Sequence, residues 1–591
     1  TFWFYWFIGD CIEHLRDPSF TDLMFHPLGK EIFAHTGNNF VDAVAAQPFR
    51  LLFGFPRYQP VFVGFLLLVN GLTFMPLAKR VLGARSWAMV LAVALWTVNP
   101  FVLFECMAGR FTQATLWFAP TAFLGMLQLG DNDRELWKDA LLAGVFTALQ
   151  AWTYWFMGLF MALAFAWLAA VRLLWPEGRS RKRMLLGWLM AAAICAVLVA
   201  PGGVSMAMAA TSGAVPGLVE GDVTSVFAMP KGHASNLPKT LHGAVLMERH
   251  GQPQITTLTW MVLIPLMAVA GLKRRLWLGM AGLLALFAVG PAWPLESGQT
   301  MSMPAYLFLY NVVPFVNRLW FPYRMMAVCF LALSLGAGTV LLRLERIVGG
   351  RSGAAWRLLP PVVLVLVLGG ALIEQHHNLA FPLVTRSLPV PAAYTEIGKR
   401  GGAIIELPIG MARISIAYQP VHEQPVFGGM AENAPLFWPE GYREKQLNNR
   451  FARFLFSAVD NPVGEPVAFD PHHLLRLRGQ GFRWVVLDRH YVDANVHRTA
   501  LRLQESKVRD QAPFLVQDRI IEALGAPVGM DGSLLVWDLS GWTDQGLGAP
   551  TGEPWPAGLQ GDAESLRTRS WPREDMPAYE RHMRERGRIV N

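Results

Sequence analysis

The chain has 591 residues, of which 53% are apolar and 16% charged, with a mean hydropathy of +0.31. A soluble globular protein carries about 25% charged residues, so this composition is typical of a polytopic membrane protein. The 51 Lys and Arg against 43 Asp and Glu give a net charge of +8, but such an excess is expected in the cytoplasmic loops of membrane proteins and does not indicate a nucleic-acid partner.

The cysteines and the first residues of the chain give two further indications about the protein. The four cysteines are scattered singly, with no CxxC pair, so neither a disulfide framework nor a zinc knuckle is predicted. The chain begins at Thr1 inside the aromatic run TFWFYWFIG, which we interpret as the outer end of a helix whose start precedes Thr1. We therefore expect the sequence to be truncated at its N-terminus.

Spanning helices are predicted from apolar stretches, because a helix needs about 20 mostly apolar residues to cross a bilayer. The stretch from Ala140 to Trp175 is nearly twice that length, so we divide it into a hairpin near Trp152 to Trp155, whose aromatic rings suit a membrane interface. The ten predicted spans are Val61–Ala78, Ser86–Phe104, Ala114–Leu129, Ala140–Tyr154, Phe156–Trp175, Met184–Ala200, Thr257–Gly271, Leu276–Pro291, Tyr323–Leu342 and Leu359–Ile373. With the remnant at Thr1–Ile8, they predict an α-helical polytopic protein of about ten or eleven transmembrane helices.

Five clusters of basic residues provide a check on this division. With the hairpin in place, all five fall on one side of the membrane, which the positive-inside rule makes the cytoplasmic side. The clusters are Lys79, Arg80 and Arg85; Arg134 and Lys138; Arg179, Arg181, Lys182 and Arg183; Lys273, Arg274 and Arg275; and Arg343, Arg346, Arg351 and Arg357. We predict a multi-pass protein of the bacterial inner membrane with outer loops at 10–60, 201–255 and 293–322.

Hydropathy falls after Glu374, where short apolar runs alternate with turn residues. The runs AIIELP, FRWVVLD and SLLVWDL, at 403–408, 482–488 and 533–539, are typical of buried strands, with helical pieces predicted at 443–458 and 497–503. The predicted parts are thus a transmembrane domain at 1–374, an extracytoplasmic α/β domain at 375–540, and a loosely ordered tail rich in Gly, Pro and charge at 541–591.

The first outer loop has a high density of ionisable residues. Ionisable groups beside a membrane cavity suit acid/base chemistry, whereas the alternative is a solvated loop whose charges face water. The candidates are Asp10, Glu13, His14, Asp17, Asp22, His26, Glu31, His35 and Asp42. Both interpretations of this loop stay open from the sequence.

Basic residues are scarce on the predicted outer side, which draws attention to Arg110 in MAGRFTQ and to Arg318 and Arg324 in NRLWFPYR. The guanidinium group offers a fixed fork of donors that matches phosphate. These arginines are therefore candidates to hold the phosphate of a lipid carrier. The alternative is an interfacial arginine that extends toward lipid headgroups.

Other motifs give weaker signals. The acidic and histidine residues of the 201–255 loop lack the tight spacing of a zinc site, and His422, Glu423, His472 and His473 are typical of surface or turn positions. The sequence has no P-loop, no GxGxxG after a strand, no GxSxG and no HExxH, so nucleotide-driven transport and standard hydrolase chemistry lack support. No metal-binding residues are predicted, and a divalent cation is left as an open cofactor.

Several strings together resemble bacterial membrane proteins of the GT-C glycosyltransferase superfamily, and within it the YfhO-like and mannosyltransferase-like members. The strings are DPSFTDLMFHPLGKEIFAHTGNNF, MAGRFTQATLWFAPTAFL, VNRLWFPYRMMAV, AIIELPIG and YQPVHEQPVFGG. The resemblance runs from about Phe4 to Leu539. It implies transfer of a sugar from a polyprenyl-phosphate donor in the membrane to an extracytoplasmic glycan, lipid or protein acceptor, with membrane lipid as a further partner.

The resemblance also implies roles for the candidate residues. A carboxylate of the first outer loop usually serves as general base or positions the acceptor, and Asp10 is our first candidate and Asp22 our second, with His26 and His35 as acceptor-orienting groups. In relatives the key Asp tends to precede the aromatic run, which leaves open that the base lies before Thr1. The donor phosphate is assigned to Arg110, Arg318 and Arg324.

Two readings from other classes remain. A non-catalytic membrane protein with a GT-C-like body could act as a scaffold or assembly partner through its soluble domain. A transporter or lipid flippase would need ionisable residues in mid-span or symmetric half-helices, and neither is evident in the sequence.

Overall fold

The computed structural model describes residues 2–35, 39–84, 86–131, 134–176, 180–211, 258–271, 273–294, 300–313, 316, 319, 321–350, 354–379, 390–408, 415–429, 438–465, 467–489, 492, 506–543, 546–548 and 553–560. Described residues up to 379 form a helical body, and those from 390 onward form a smaller α/β domain. The helical piece predicted at 497–503 lies outside the described residues.

The helical body is built almost entirely of α-helices, with two short antiparallel strand pairs, β1 (Phe20–Thr21) with β2 (Lys30–Glu31) and β3 (Ala292–Pro294) with β4 (Thr300–Ser302). Its helices are α1 (Phe2–Glu13), α2 (Ile32–His35), α3 (Phe40–Phe53), α4 (Tyr58–Leu82), α5 (Trp87–Thr97), α6 (Pro100–Met107), α7 (Phe111–Ala114), α8 (Ala119–Gln128), α9 (Leu136–Thr153), α10 (Trp155–Leu174), α11 (Arg181–Thr211), α12 (Leu258–Ala270), α13 (Arg274–Ala288), α14 (Pro304–Val312), α15 (Met326–Gly349) and α16 (Ala354–Leu379).

Each of the ten predicted stretches falls on one or two of these helices. Within the described residues, six helical segments are long and apolar enough to cross a membrane: Tyr58–Leu82, Trp87–Met107, Trp155–Leu174, Arg181–Met208, Pro322–Gly349 and Trp356–His376. The other predicted stretches lie on helices that are shorter or, in α9, carry charge in the first turn. The chain is a multi-pass membrane protein.

The helical body is organised around the segment Pro322–Gly349, whose most apolar window is 89% buried, whereas the corresponding window of Trp356–His376 is only 11% buried and faces outward. This central helix packs against α5 and α13. Close approach depends on small residues, because a Cβ added to Gly338 would lie 3.0 Å from the carbonyl oxygen of Ala88. Small residues at such contacts let membrane helices approach closely.

The predicted hairpin is present between α9 and α10. Helix α9 ends at Thr153, Tyr154 is extended, and α10 begins at Trp155. The rings of Trp152 and Trp155 lie 5.5 Å apart at this turn. The division of the long apolar stretch into two helices is therefore confirmed.

The basic clusters meet at one end of the helical body. Arg80 pairs with Asp131 at 2.5 Å, and the guanidinium of Arg183 contacts the carbonyl oxygen of Arg134. Glu345 accepts a hydrogen bond of 2.6 Å from the amide of Trp87, so the end of α15 lies beside the start of α5. Four of the predicted basic segments are thus joined in contacting pairs, as expected for loops on one side of a membrane.

The C-terminal α/β domain contains one four-stranded sheet in the order β5, β6, β8, β7, with β5 and β6 parallel and the other pairs antiparallel. Its elements are α17 (Ala392–Arg400), β5 (Ala403–Leu407), α18 (Ser415–His422), α19 (Tyr442–Asn448), α20 (Arg450–Asp460), α21 (Pro471–Gly479), β6 (Phe482–Asp488), α22 (Ser506–Leu524), β7 (Gly529–Asp531) and β8 (Leu534–Asp538). All three predicted strands are present, as β5, β6 and β8.

The first outer loop binds directly to this domain. The amide of Phe25 donates to the carbonyl of Gly428 at 2.8 Å, and Val426 exchanges backbone hydrogen bonds with Leu23 and His26. Val426 in turn forms a bridge to Ile404 of β5. The loop therefore continues the sheet by one further strand-like segment, and sheet and helical body share one hydrophobic core.

The chain just beyond Gly541 packs on the domain, whereas the sequence predicts a loose tail from 541 onward. Strand β9 (Trp542–Thr543) pairs with β10 (Gly546–Leu547), and the ring of Trp555 packs 5.8 Å from that of Trp484. Trp542 and Trp555 are both buried, and burial of two indole rings offsets the ordering cost of a Gly- and Pro-rich segment. Residues 561–591 lie outside the described residues.

Lys445 ties the first outer loop to the domain. Its ammonium donates to the carbonyl of His26 at 2.8 Å and lies over the rings of Phe427 and Phe482. We expect Lys445→Met, which keeps the packing of the stem, to lower the free energy of unfolding by about 1 to 3 kcal/mol, measured by thermal unfolding in detergent micelles. The exposed Lys399, which among the described residues pairs with Glu396 on its own helix, provides the control. Lys399→Met should have almost no effect.

Candidate active site

Arg110 and Arg324, which are far apart in sequence, belong to one polar cluster. Arg110 pairs through Nε with the carboxylate of Glu105, and its Nη2 donates to the hydroxyl of Tyr323 at 3.0 Å. The Tyr323 hydroxyl donates to Glu105 at 3.0 Å. Arg324 follows Tyr323 directly and donates to the hydroxyl of Tyr154 at 2.6 Å. We call these five residues the arginine cluster.

The charges of the arginine cluster do not balance. Two guanidinium groups face one carboxylate, that of Glu105, which is fully buried, while Arg110 keeps 30% of its side chain exposed. Nε of Arg324 is buried and has no hydrogen-bond partner among the described residues. The cluster thus has a net positive charge and an unused donor, an arrangement suited to an anionic group such as phosphate.

Aromatic rings surround both guanidinium groups. Arg324 lies 4.7 Å from the ring centroid of Phe321 and 5.3 Å from that of Tyr154, and Arg110 lies 5.1 Å from that of Phe104. Cation–π contacts stabilise a partly desolvated guanidinium without consuming its hydrogen-bond donors. The ring contacts therefore stabilise the two arginines without using the Nε donor of Arg324.

Arg110 lies in the irregular connection between α6 and α8. Helix α6 ends at Met107 and α8 begins at Ala119, and between them the chain forms only the one-turn helix α7. We call residues 108–118 the broken segment. Asn70, halfway along α4, and Gln150, near the end of α9, are both fully buried and hydrogen-bond to the backbone of this segment.

Asp42 of α3 is a buried carboxylate next to the broken segment. Its Oδ2 accepts hydrogen bonds from the hydroxyl of Tyr5 at 2.8 Å and from that of Thr112 at 2.6 Å. Its Oδ1 is buried with no partner among the described residues. Burial raises the pKa of Asp42 to about 6, against the opposing effect of the two hydrogen bonds. The first outer loop therefore contributes a carboxylate with a raised pKa that bonds to Thr112, two residues after Arg110 in the chain.

Solved structures of other proteins share the fold of this chain. No protein-family model matches the sequence, and no curated protein sequence matches it. Among solved structures, the arabinofuranosyltransferase AftD from Mycobacteria superposes with a TM-score of 0.51 at 17% identity, over 88% of this chain and 36% of that one. The apo oligosaccharyltransferase of Archaeoglobus fulgidus superposes with a TM-score of 0.50 at 13% identity, over 84% of this chain and 67% of that one. The chain has the GT-C fold.

This GT-C chain spans only about a third of the length of the arabinofuranosyltransferase it resembles. At such identities the similarity establishes the fold and nothing about chemistry. The fold class predicted from the sequence, a helical polytopic body of GT-C type with a C-terminal α/β domain, is confirmed.

The carboxylates predicted to be catalytic lie on the first outer loop of the GT-C body. Asp10, near the end of α1, has 16% of its side chain exposed and pairs with His14 at 3.0 Å and Arg16 at 3.2 Å. Asp22 is exposed, just before the segment that binds the C-terminal domain. Within the described residues, no ion pair joins either carboxylate to Arg110 or Arg324.

The two predicted histidines lie elsewhere in the loop. Nε2 of His26 is 2.8 Å from the carbonyl oxygen of Gln480, and its ring packs against Phe482 of β6, so His26 lies in the junction with the C-terminal domain. His35 ends α2, and its side chain is outside the described part, as is the whole of Arg318. Of the predicted phosphate-binding residues, Arg110 and Arg324 are brought together.

Sequence reasoning named Asp42 among the ionisable residues of the first outer loop but gave it no role, and it gave no site role to Glu105, Tyr154 or Tyr323. A signal was available for Asp42, because it falls in α3 beside Ala43 and one turn before Ala46, both buried. A charge on the apolar face of an amphipathic helix indicates a buried, partnered group. The two tyrosines carry no such signal, since tyrosine is common at membrane interfaces.

The sequence predicts no metal-binding residues and leaves only a divalent cation open as a cofactor. Within the residues that the structure describes, no three His, Cys, Asp or Glu side chains are grouped so that they could hold a metal ion.

The raised pKa of Asp42 predicts a pH-dependent stability. The carboxyl titrates near 3.8 when unfolded and near 6 when folded, so its contribution is fully present below about pH 4 and is lost as the pH rises through 6. Asp42→Asn removes this titration. The free energy of unfolding of Asp42→Asn, minus that of the wild type, should therefore rise by up to about 3 kcal/mol from pH 4 to pH 7.

Thermal unfolding in detergent micelles across this pH range measures the difference. Asp470 is the matched control, because its hydrogen bond with His473 lowers the pKa of that carboxyl. That carboxyl therefore titrates below this range, and Asp470→Asn should show no comparable gain over the wild type between pH 4 and pH 7. A flat difference for Asp42→Asn would show that Asp42 does not titrate in this range.

Proposed function

We propose that the chain is a membrane glycosyltransferase that moves a sugar from a polyprenyl-phosphate donor to an extracytoplasmic acceptor. The observation that carries the proposal is the pairing of Arg110 and Arg324 in one buried cluster with an unused guanidinium donor. The fold supports the same class, because the arabinofuranosyltransferase and the oligosaccharyltransferase it resembles are both sugar transferases by name.

The arginine cluster fits the leaving group of such a reaction. When an acceptor hydroxyl attacks the anomeric carbon, the bond from that carbon to the phosphate oxygen breaks and the polyprenyl phosphate leaves with the electron pair. Charge accumulates on the phosphate, and preorganised guanidinium donors stabilise it most where water is excluded. Glu105 and the tyrosines hold the two forks in place.

A base must accept the proton of the attacking hydroxyl. We assign this role to Asp10, with Asp22 as the second candidate, because both lie on the outer loop that precedes the membrane body. Asp10 is partly desolvated and bordered by His14 and Arg16. His26 and His35 stay candidates for orienting the acceptor, although His26 also serves the domain junction.

The arginines are tested first, with radiolabelled sugar on polyprenyl-phosphate donors and the full chain in membranes. We expect Arg110→Ala and Arg324→Ala each to lower kcat/KM by about 100-fold or more, since each removes a charge-assisted contact to the leaving phosphate. Lys replacements should recover part of the loss. Arg343→Ala, at the opposite end of the body, is the control and should leave transfer unchanged.

The same assay separates the carboxylates and the cation. Asp10→Asn should abolish transfer with the protein still folded, and Asp22→Asn should not if Asp10 is the base. Chelation by EDTA, followed by addition of Mg²⁺ or Mn²⁺, establishes any need for a divalent cation. Absence of transfer from every donor would instead support the scaffold reading, and transfer indifferent to both arginines would show that they do not hold the donor phosphate.

We also propose that the protein lies in the bacterial inner membrane with the C-terminal domain outside. The joined basic segments support this orientation, because positive loops favour the cytoplasm. An impermeant maleimide should label Lys399→Cys in intact spheroplasts and Lys182→Cys only after lysis. Both positions are exposed, and the wild type, with Cys11, Cys106 and Cys329 buried, gives the background. The reverse labelling pattern would invert the orientation.

A further inference from the structure

The broken segment presents an energetic problem that two side chains resolve. Within the membrane each unsatisfied backbone group costs several kcal/mol, so irregular backbone is tolerated only where protein groups satisfy it. Residues 108–118 lie between a membrane-spanning helix and α8, and Thr112, Ala114, Thr115 and Leu116 are almost completely buried. Their backbone groups therefore need partners from neighbouring helices.

Asn70 supplies the first pair of hydrogen bonds. Its Nδ2 donates to the carbonyl of Ala114 at 2.9 Å, and its Oδ1 accepts from the amide of Leu116 at 3.0 Å. One amide side chain thus satisfies two backbone groups of the broken segment. The main chain at Asn70 is also anchored, because its backbone carbonyl accepts from the indole of Trp96 at 3.0 Å.

Gln150 supplies the second set. Its Nε2 donates to the carbonyl of Thr115 at 2.8 Å, and its Oε1 accepts from the amides of Phe118 and Ala119 at 3.2 Å each. These contacts cap the start of α8 and close the broken segment at its far end. Asn70 and Gln150 come from α4 and α9, which approach the segment from different sides.

The same contacts fix Arg110. Its carbonyl accepts from the amide of Gln113 at 3.1 Å and its own amide donates to the carbonyl of Glu105 at 2.8 Å, so Arg110 joins the end of α6 to the one-turn helix α7. The amide of Thr115 donates to the carbonyl of Phe111 at 2.9 Å. A displacement at Ala114 or Thr115 is therefore transmitted through a single turn to Arg110.

We propose that Asn70 and Gln150 are positioning residues of the donor site, which hold the broken segment so that the guanidinium of Arg110 stays beside that of Arg324. This inference rests on the proposed function, since it assigns the two amides to the geometry of a phosphate site. Arg110 lies within the broken segment, so the position of that segment sets where its guanidinium lies in the arginine cluster.

The test uses Asn70→Leu and Gln150→Met, which keep side-chain size and remove the hydrogen bonds. In the transfer assay we expect the KM for the polyprenyl-phosphate sugar to rise about tenfold or more, with kcat and the KM for the acceptor nearly unchanged. Binding of sugar-free polyprenyl phosphate should weaken by a similar factor. Gln150→Glu keeps the two accepted bonds, so it should weaken binding less than Gln150→Met. It replaces Gln150→Met in the test if that protein does not fold.

The control is Asn449, which makes the same pair of contacts in the C-terminal domain. Its Nδ2 donates to the carbonyl of His473 at 3.0 Å and its Oδ1 accepts from the amide of Ala452 at 2.9 Å. Asn449→Leu should lower thermal stability as much as Asn70→Leu does while leaving the donor KM unchanged. An equal rise in donor KM for Asn449→Leu would overturn the inference.

Coupling to Arg110 decides between positioning and general stability. If Asn70 acts through Arg110, Asn70→Leu should add little to the loss of binding already caused by Arg110→Ala. Fully additive losses, or folded Asn70→Leu and Gln150→Met proteins that bind polyprenyl phosphate like the wild type, would overturn the inference. A wild type that binds polyprenyl phosphate without transferring sugar would overturn the proposed function alone.

Discussion

The need to satisfy every backbone polar group inside the bilayer is the constraint on which the rest of this structure depends. A continuous helix meets it without help, but the chain between α6 and α8 is not continuous, and its carbonyls and amides are paired with Asn70 and Gln150. Each such bond in a membrane is worth only about 1 kcal/mol net. Their importance is geometric, because an unpaired group would cost more than the bond contributes, so the segment has few alternative positions.

The arginine cluster follows from that placement. Two arginines buried near each other repel, and only Glu105 is paired with one of them in the described structure. Tyrosine hydroxyls and aromatic faces supply the rest of the stabilisation. Replacing both arginines by apolar residues would remove this cost, as is common for buried charges. The retention of two guanidinium groups with an unused donor is therefore more readily explained by an anionic ligand than by stability.

The first outer loop connects the cluster to the α/β domain. Asp42 bonds to Thr112 of the broken segment, Tyr5 of α1 bonds to Asp42, and Trp3 of α1 donates to Gln419 of α18 at 2.5 Å. Gln419 also donates to the carbonyl of Leu23. The loop is thus held on one side by the membrane body and on the other by the sheet that it extends. Movement of the C-terminal domain would be transmitted to the loop that holds Asp10 and Asp22.

Asp42 illustrates how the loop differs from a solvated surface. A charge facing water keeps an ordinary pKa, but this carboxylate is enclosed, and burial raises its pKa to about 6. At neutral pH it is ionised at a cost to stability, which the hydroxyls of Tyr5 and Thr112 partly offset. The loop therefore combines exposed carboxylates, such as Asp22, with one that is part of the packed core.

The sequence by itself determined the membrane class, the hairpin at Tyr154 and the three main strands. It also singled out Arg110 and Arg324 as candidate phosphate-binding residues. These follow from hydropathy, periodicity and the scarcity of outer basic residues, which are properties of local composition. Only the tertiary structure decided that the two arginines lie in one cluster with Glu105, Tyr154 and Tyr323, that His26 belongs to the domain junction, and that Asp42 is buried. Such contacts join residues far apart along the chain, and they depend on how helices break and pack, which no local pattern encodes.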